Sequence, residues 1–246
     1  KPQTHGTAQV FSRKAAGRWA RIRRSELDAM YSKFRLSDSE WIRRARGLLA
    51  DRGRSSADCS LLTPQLCYGR HRGPAGVGSR TAAVVALLYP NRGDWYLPLI
   101  LRPASMIHHA RQVSLPGGGA EPGEAAEQCA LRELEEELAV RPDQVEVLGQ
   151  LAPIFVFASN FHVTPFVATA QDRPEFQPCP SEVEGLFEVP LDQILDRARW
   201  GTRVVKRGRL EFRAPSFVFR GRHIWGATAL ILSHLSAAIG SELKRP

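Results

Sequence analysis

Sulfur is scarce in this chain, which has two methionines and four cysteines in 246 residues. Cys59, Cys67, Cys129 and Cys179 include no CxxC pair. Zinc-ligand spacing is thereby excluded, and a disulfide framework is not expected in a chain long enough to bury its own core. Reduced thiols and a cytoplasmic setting are the expectation. Long apolar runs are lacking as well. The most apolar stretch, 224–239, is interrupted by Ser233, His234 and Ser236 and is too short for a membrane span. It reads instead as a helix closing a core. No secretory leader and no internal repeat stand out. What is present is a 43% apolar fraction, enough to exclude wholesale disorder.

Acidic residues are almost missing from the first stretch. Residues 1–35 hold nine Lys/Arg against Glu26 and Asp28, so +7 of the net +9 sits there and the remaining chain is near neutral. Such a stretch can attract RNA, anionic lipid or phosphate-rich ligands. Its Arg-rich, acid-poor composition also suits an organelle presequence, and a solvated extension is the third reading.

Patterning divides the chain into the basic extension 1–35, a helix and linker over 36–78, a main domain over 79–240 and a short tail, 241–246. Ser37-Asp-Ser-Glu40 has the form of a capping box, and the apolar positions Trp41, Ile42, Ala45, Leu48 and Leu49 follow with helical spacing. Residues 54–78, rich in Gly, Pro, Ser and Arg, read as linker. An apolar run at 82–89, a turn at 90–94 and a return strand at 95–102 predict a hairpin. Further strands are expected at 145–151, 163–169, 183–189, 203–205, 210–212 and 217–219. Helices are expected around 124–138, 191–198 and 225–239. The fold class is therefore α/β, a mixed β-sheet sandwiched by helices.

The richest stretch is Gly117-Gly-Gly-Ala-Glu-Pro-Gly-Glu124 and the helix after it. Pro122 and Gly123 mark a turn, and Glu124 is placed in the first helical turn, where a carboxylate suits the dipole. Leu131, Leu134 and Leu138 share one face. Glu133, Glu136 and Glu137 are expected roughly on the other. Like charges at this spacing repel by roughly a few tenths of a kcal/mol per pair, a cost that a divalent cation reverses. Hard cations on such a cluster polarise water and neutralise phosphate oxygens. The glycines before the helix let backbone approach a ligand closely.

Gly118, Glu124, Arg132-Glu133-Leu134, Glu136-Glu137 and Ala139-Val140, at these intervals, resemble the Nudix box. One defining position departs, since the family has glycine where Ala139 stands. Alanine fits there in a right-handed backbone, whereas a left-handed one would be strained. The resemblance implies a Nudix-type α/β/α sandwich whose loop–helix–loop element binds Mg²⁺ or Mn²⁺. It implies Glu133, Glu136 and Glu137 as metal ligands, with Gly118 contributing backbone beside the metal. Arg132 and Glu124 are implied as the pair that braces the element.

Upstream, Arg102, His109, Gln112, Val113, Pro116, Gly117 and Gly118 are similar, without gaps, to the segment preceding the box in coenzyme A pyrophosphatases. Here Pro103 replaces a small residue, Ile107 a basic one, Arg111 a glycine and Leu115 an aromatic. Val163-Thr-Pro-Phe166, the segment 181–191 and Ile224-Trp-Gly-Ala-Thr228 resemble later segments of that branch, so the likeness spans roughly 36–240. It implies hydrolysis of a small-molecule pyrophosphate, coenzyme A or an acyl form of it, with Arg102, His109 and Arg111 near the substrate. Glu182 is implied as auxiliary ligand or general base. A dinucleotide or nucleotide sugar is the alternative substrate. Nucleic acid is not expected as a partner, because the carboxylate set is intact, and a homodimer is left open.

Overall fold

The computed structural model describes residues 38–52, 78–105, 110–156, 159–207 and 210–243. The basic extension, the capping position Ser37, the linker after residue 52 and His109 lie outside these residues. Among the described residues no helix is long and apolar enough to cross a membrane.

The order of elements begins with α1 (Asp38–Arg52), β1 (Arg80–Asn91), β2 (Asp94–Leu101), β3 (Val113–Ser114), β4 (Gly117–Gly119) and α2 (Ala126–Leu138). It continues with β5 (Glu146–Gln150), β6 (Ile154–Val156), β7 (Phe161–Thr169), β8 (Gly185–Pro190) and α3 (Leu191–Leu195). It closes with β9 (Trp200–Arg207), β10 (Leu210–Phe219), β11 (Arg222–Trp225) and α4 (Gly226–Leu243).

The first eight strands form one mixed sheet. β1 runs parallel to β7 and antiparallel to β2 and β4, while β8 pairs with the other side of β2. Strands with neighbours on both sides and cover on both faces read as continuous apolar runs, and β1 obeys this. Ala83, Val85, Leu87 and Tyr89 face the layer of α2, where they meet Ile100, Leu134, Leu138 and Phe166. Ala86 and Leu88, of opposite parity, are equally buried on the side where α1, α3 and α4 gather. The expected α/β/α sandwich is thus the observed architecture. β9, β10 and β11 form a second, three-stranded antiparallel sheet against which α4 packs.

Several elements differ from the sequence reading. β3, β4, β6 and β11 are two to four residues long, too short to show a period. β10 is continuous where two strands were expected on either side of Ala214-Pro215. The proline is tolerated because β11 pairs only from Ser216 onward, so Pro215 lies just outside that ladder. α2 starts at Ala126 with Ala125 as N-cap, so Glu124 precedes the helix instead of occupying its first turn. Its backbone N–H closes a turn onto the Glu121 carbonyl at 3.0 Å, with Gly123 at φ 82°.

Candidate active site

The Gly-rich stretch is a strand before it is a loop. β4 lies on β1 with Gly118 opposite Ala83 and Gly117 opposite Val84. Gly117 has φ 142°, and a Cβ there would overlap the Ala83 carbonyl oxygen and the Val84 backbone. At Gly118 a Cβ would overlap the Glu133 carboxylate. Both glycines are therefore required by close approach, one to backbone and one to an acidic side chain.

Against this strand α2 presents its carboxylates unequally. Glu137 is 1% exposed, and its Oε2 accepts from the Gly117 N–H at 2.9 Å. The guanidinium of Arg102, at the end of β2, stands 3.8 Å from its other oxygen. Glu133 is half-buried beside Gly118, and Glu136 is exposed. Each of Glu133, Glu137 and Glu182 offers an oxygen within 4.8 Å of the other two. Glu136 is not part of this trio. Its carboxylate instead accepts from Arg132 Nη1 at 2.8 Å.

Glu182 arrives from 45 residues beyond Glu137, on a strap laid over the C-terminal end of α2. The Gln177 N–H donates to the Leu138 carbonyl at 3.0 Å and the Cys179 N–H to the Glu137 carbonyl at 2.9 Å. Helix-end carbonyls need such partners. The strap then turns, with the N–H groups of Glu182 and Val183 both donating to the Cys179 carbonyl. The bonds that finish the helix therefore also deliver the third carboxylate.

Arg132 braces the element. Its Nε and Nη2 donate to the two oxygens of Glu124 at 2.8 and 3.1 Å, its Nη2 to the Gly119 carbonyl at 3.1 Å, and its Nη1 to Glu133 at 3.0 Å. One planar cation thus joins the turn before α2, the strand β4 and the helix. The Arg132 guanidinium and the Glu121 N–H hold the Glu124 carboxyl down to about 2. Glu137 is the opposite case. Burial, together with the neighbouring charges of Glu133 and Glu182, outweighs Gly117 and Arg102 and pushes it up from 4.5 to about 8. Burial also raises Glu133.

The approach to the cluster is a hairpin base. The Arg102 N–H donates to the Gln112 carbonyl and the Arg111 N–H to the Arg102 carbonyl, each at 3.0 Å. Arg111 is exposed at φ 56°, and Ala139, the C-cap of α2, has φ 58° and ψ 31°. Both positions where this sequence replaces a family glycine, Arg111 and Ala139, are left-handed here. Sequence reasoning did not single out Glu184 within the segment 181–191. Its carboxylate accepts from the Ala104 N–H at 3.2 Å, while its own N–H donates to the Leu101 carbonyl at 2.8 Å.

A model of the NUDIX domain matches residues 79–207, just over half of the chain. The Nudix hydrolase NudL of Yersinia enterocolitica is 36% identical over 154 residues, covering 58% of this chain and 78% of that protein. NudL of Yersinia pestis is 36% identical, with 58% and 77% covered. Among solved structures, the Nudix hydrolase RenU of M. smegmatis aligns with a TM-score of 0.46 at 20% identity, covering 68% of this chain and 89% of that one. The match over 79–207 and the shared identity with NudL place this chain in the Nudix hydrolase family.

Proposed function

We propose that the chain hydrolyses the pyrophosphate bond of coenzyme A or an acyl-coenzyme A, giving 3′,5′-ADP and 4′-phosphopantetheine or its acyl form. The observation that carries this reading is the run from Arg102 to Gly118. It is similar to the segment before the box in coenzyme A pyrophosphatases, and its first residue reaches the carboxylate cluster.

Nudix hydrolases use divalent metal ions, and the donor set here suits one. Three carboxylates meet within 4.8 Å, and burial, with the charges of Glu133 and Glu182 beside it, keeps the proton on Glu137 up to about 8. Hard oxygen ligands favour Mg²⁺ or Mn²⁺. Glu133, Glu137 and Glu182 would hold the ion, with Glu136 released from Arg132 as a further ligand and the Gly118 backbone beside it. The ion supplies charge neutralisation on the phosphate oxygens and acidifies a water.

The remaining work falls to the chain's own groups. Gly117 and Arg132 fix two of the carboxylates before substrate arrives, so little reorganisation is needed during reaction. Arg102 and Arg111, on facing sides of the hairpin base, anchor phosphate oxygens, and the resemblance adds His109 to the residues near the substrate. Glu182, set by the strap, takes a proton from the attacking water. The water oxygen bonds to one phosphorus, and the bridging P–O bond breaks with its electron pair on the departing phosphate.

The test is product analysis after incubation with coenzyme A and magnesium. 3′,5′-ADP and phosphopantetheine should form in equal amounts, faster than a panel of dinucleotides and nucleotide sugars is cut. A dinucleotide or nucleotide sugar leading that panel would overturn the substrate assignment and leave the pyrophosphatase reading standing.

A further inference from the structure

We infer that the second sheet is a binding surface for the phosphodiester backbone of a nucleic-acid strand. The near-neutral balance beyond residue 35 is a cancellation. Residues 197–223 carry nine Lys/Arg and one acid, Glu211, for a net +8, which leaves −6 on everything outside this segment and residues 1–35. Arg203, Lys206 and Arg207 lie on β9, Arg213 on β10, Arg220 in the turn after it and Arg222 on β11, while Arg197 and Arg199 precede β9.

Several arginines elsewhere in the fold are matched to carboxylates, as in Arg132 with Glu124, Arg141 with Asp143 and Arg173 with Glu188. In the second sheet, Lys206 meets Glu211 at 3.1 Å. Among the described residues no carboxylate pairs with Arg203, Arg213, Arg220 or Arg222. Three of these lie instead against rings: Arg203 over Trp225 at 5.5 Å, Arg222 over Phe187 at 5.8 Å and Arg220 over Phe219 at 5.4 Å.

Three features select the partner. The cations extend along the sheet, because Arg213 and Arg222, which pairs with Phe219, share one face six residues apart along β10, about 20 Å at strand rise. That is longer than one nucleotide. Eight of the nine are arginines, whose planar forks pair with phosphate bidentately and stack on bases. A membrane surface is disfavoured, because the exposed large apolar residues Val204 and Val218 stand singly and on opposite faces of the sheet. Near the β10–β11 turn a cavity of about 330 Å³ is bordered by Arg199, Arg220, Tyr96, Phe219 and Glu188. Arg199 stands 3.7 Å from Asp196 and Glu188 pairs with Arg173, so the cavity offers one unit of the strand the Tyr96 ring and the guanidinium of Arg220. None of these residues belongs to the proposed pyrophosphate site.

The experiment is fluorescence anisotropy of a labelled 20-nucleotide single strand with the full chain in EDTA, as RNA and as DNA, at several salt concentrations. Binding should weaken with salt, with a log–log slope of about −3 for roughly four phosphate contacts. Replacing Arg213, Arg220 and Arg222 together by Gln should weaken it at least about tenfold and flatten the slope by about 2. Should that variant melt below the wild type, Arg213→Gln alone carries the test, with a slope change of about 0.7. Unchanged binding in the variants, displacement of the strand by AMP at equal nucleotide concentration, or tighter binding to phosphatidylserine vesicles would each overturn the inference. The RNA and DNA arms decide which source of phosphodiester is preferred.

Discussion

At the C-terminal half of α2 three carboxylates share a space 4.8 Å across, whereas in the second sheet Arg203, Lys206, Arg207, Arg213 and Arg222 are strung along three strands with a single acid, Glu211, among them. Both regions crowd like charge, but they tolerate it by different means. In the first, two ionised groups at that distance repel by about 3 kcal/mol at a near-surface dielectric, too much for all three to ionise without a counter-ion. The fold answers with a proton on Glu137 and with backbone and arginine tethers that keep the groups in place. In the second, the side chains described as exposed stand in solvent, and salt screens them over about 8–10 Å. A cluster tethered against its own repulsion demands one small cation at one point, while a solvated array meets any extended anion. Geometry therefore distinguishes the two regions where a charge count would treat them alike.

The sharpest way to break the comparison is to neutralise the two neighbouring glutamates of α2 separately. Glu136→Gln and Glu137→Gln should each lower turnover by about three orders of magnitude, the scale of losing a transition-state charge stabiliser. Their effects on the metal-free protein should diverge. Glu137→Gln keeps an oxygen for the Gly117 N–H and removes a buried acid, so melting temperature should rise at pH 9 and hardly change at pH 5. Glu136→Gln, in an exposed pair with Arg132, should leave it nearly unchanged. Melting curves that coincide for the two variants would remove the distinction between a buried and a solvated member of the cluster.

A smaller effect follows from pH alone. Because Glu137 is raised from 4.5 to about 8 in the fold, the folded state binds the extra proton more tightly than the unfolded chain between those values. Its contribution to stability is complete below 4.5 and is lost as pH rises through about 8. The metal-free protein should accordingly melt lower at pH 9 than at pH 6. Magnesium should restore more at pH 9, since it occupies the site that the proton vacates. A metal-free melting temperature that is flat or rises over this interval would show that the cluster is relaxed in solution.

The helix period made α2 legible and the continuous apolar run made β1 legible, because both patterns are local properties of the sequence. The division of labour among the glutamates was partly legible. At 100° per residue Glu137 lies about 60° from Leu134 and Glu136 about 160° away, so a wheel count alone separates the buried acid from the exposed one. Grouping all three opposite the leucines obscured this. Glu182 could be suspected by resemblance, but its delivery depends on strap N–H groups finding helix-end carbonyls, a match between segments 40 residues apart that no window contains. The second sheet's charge was legible but passed over. Its excess lies in one contiguous segment, 197–223, and a balance taken over the whole chain beyond residue 35 cancels it against acids elsewhere.

The smallest predicted effect tests whether the left-handed end of α2 is held under strain. Ala139 is exposed, its N–H closes on the Glu135 carbonyl at 2.8 Å, and its φ of 58° is one at which a Cβ crowds the following carbonyl. That geometry costs roughly 1–2 kcal/mol for alanine and little for glycine. Glycine in turn costs about 0.4–1 kcal/mol through the freedom it gives the unfolded chain. Ala139→Gly should therefore stabilise by roughly 0.5–1 kcal/mol, a rise of about 1–4 °C in melting temperature. Gly123, at φ 82° with open space where a Cβ would stand, is the mirror case, and Gly123→Ala should lower it by a similar amount. Paired shifts of opposite sign would locate the strain in the backbone itself. A fall with Ala139→Gly would mean that the alanine methyl makes a contact outweighing its conformational cost.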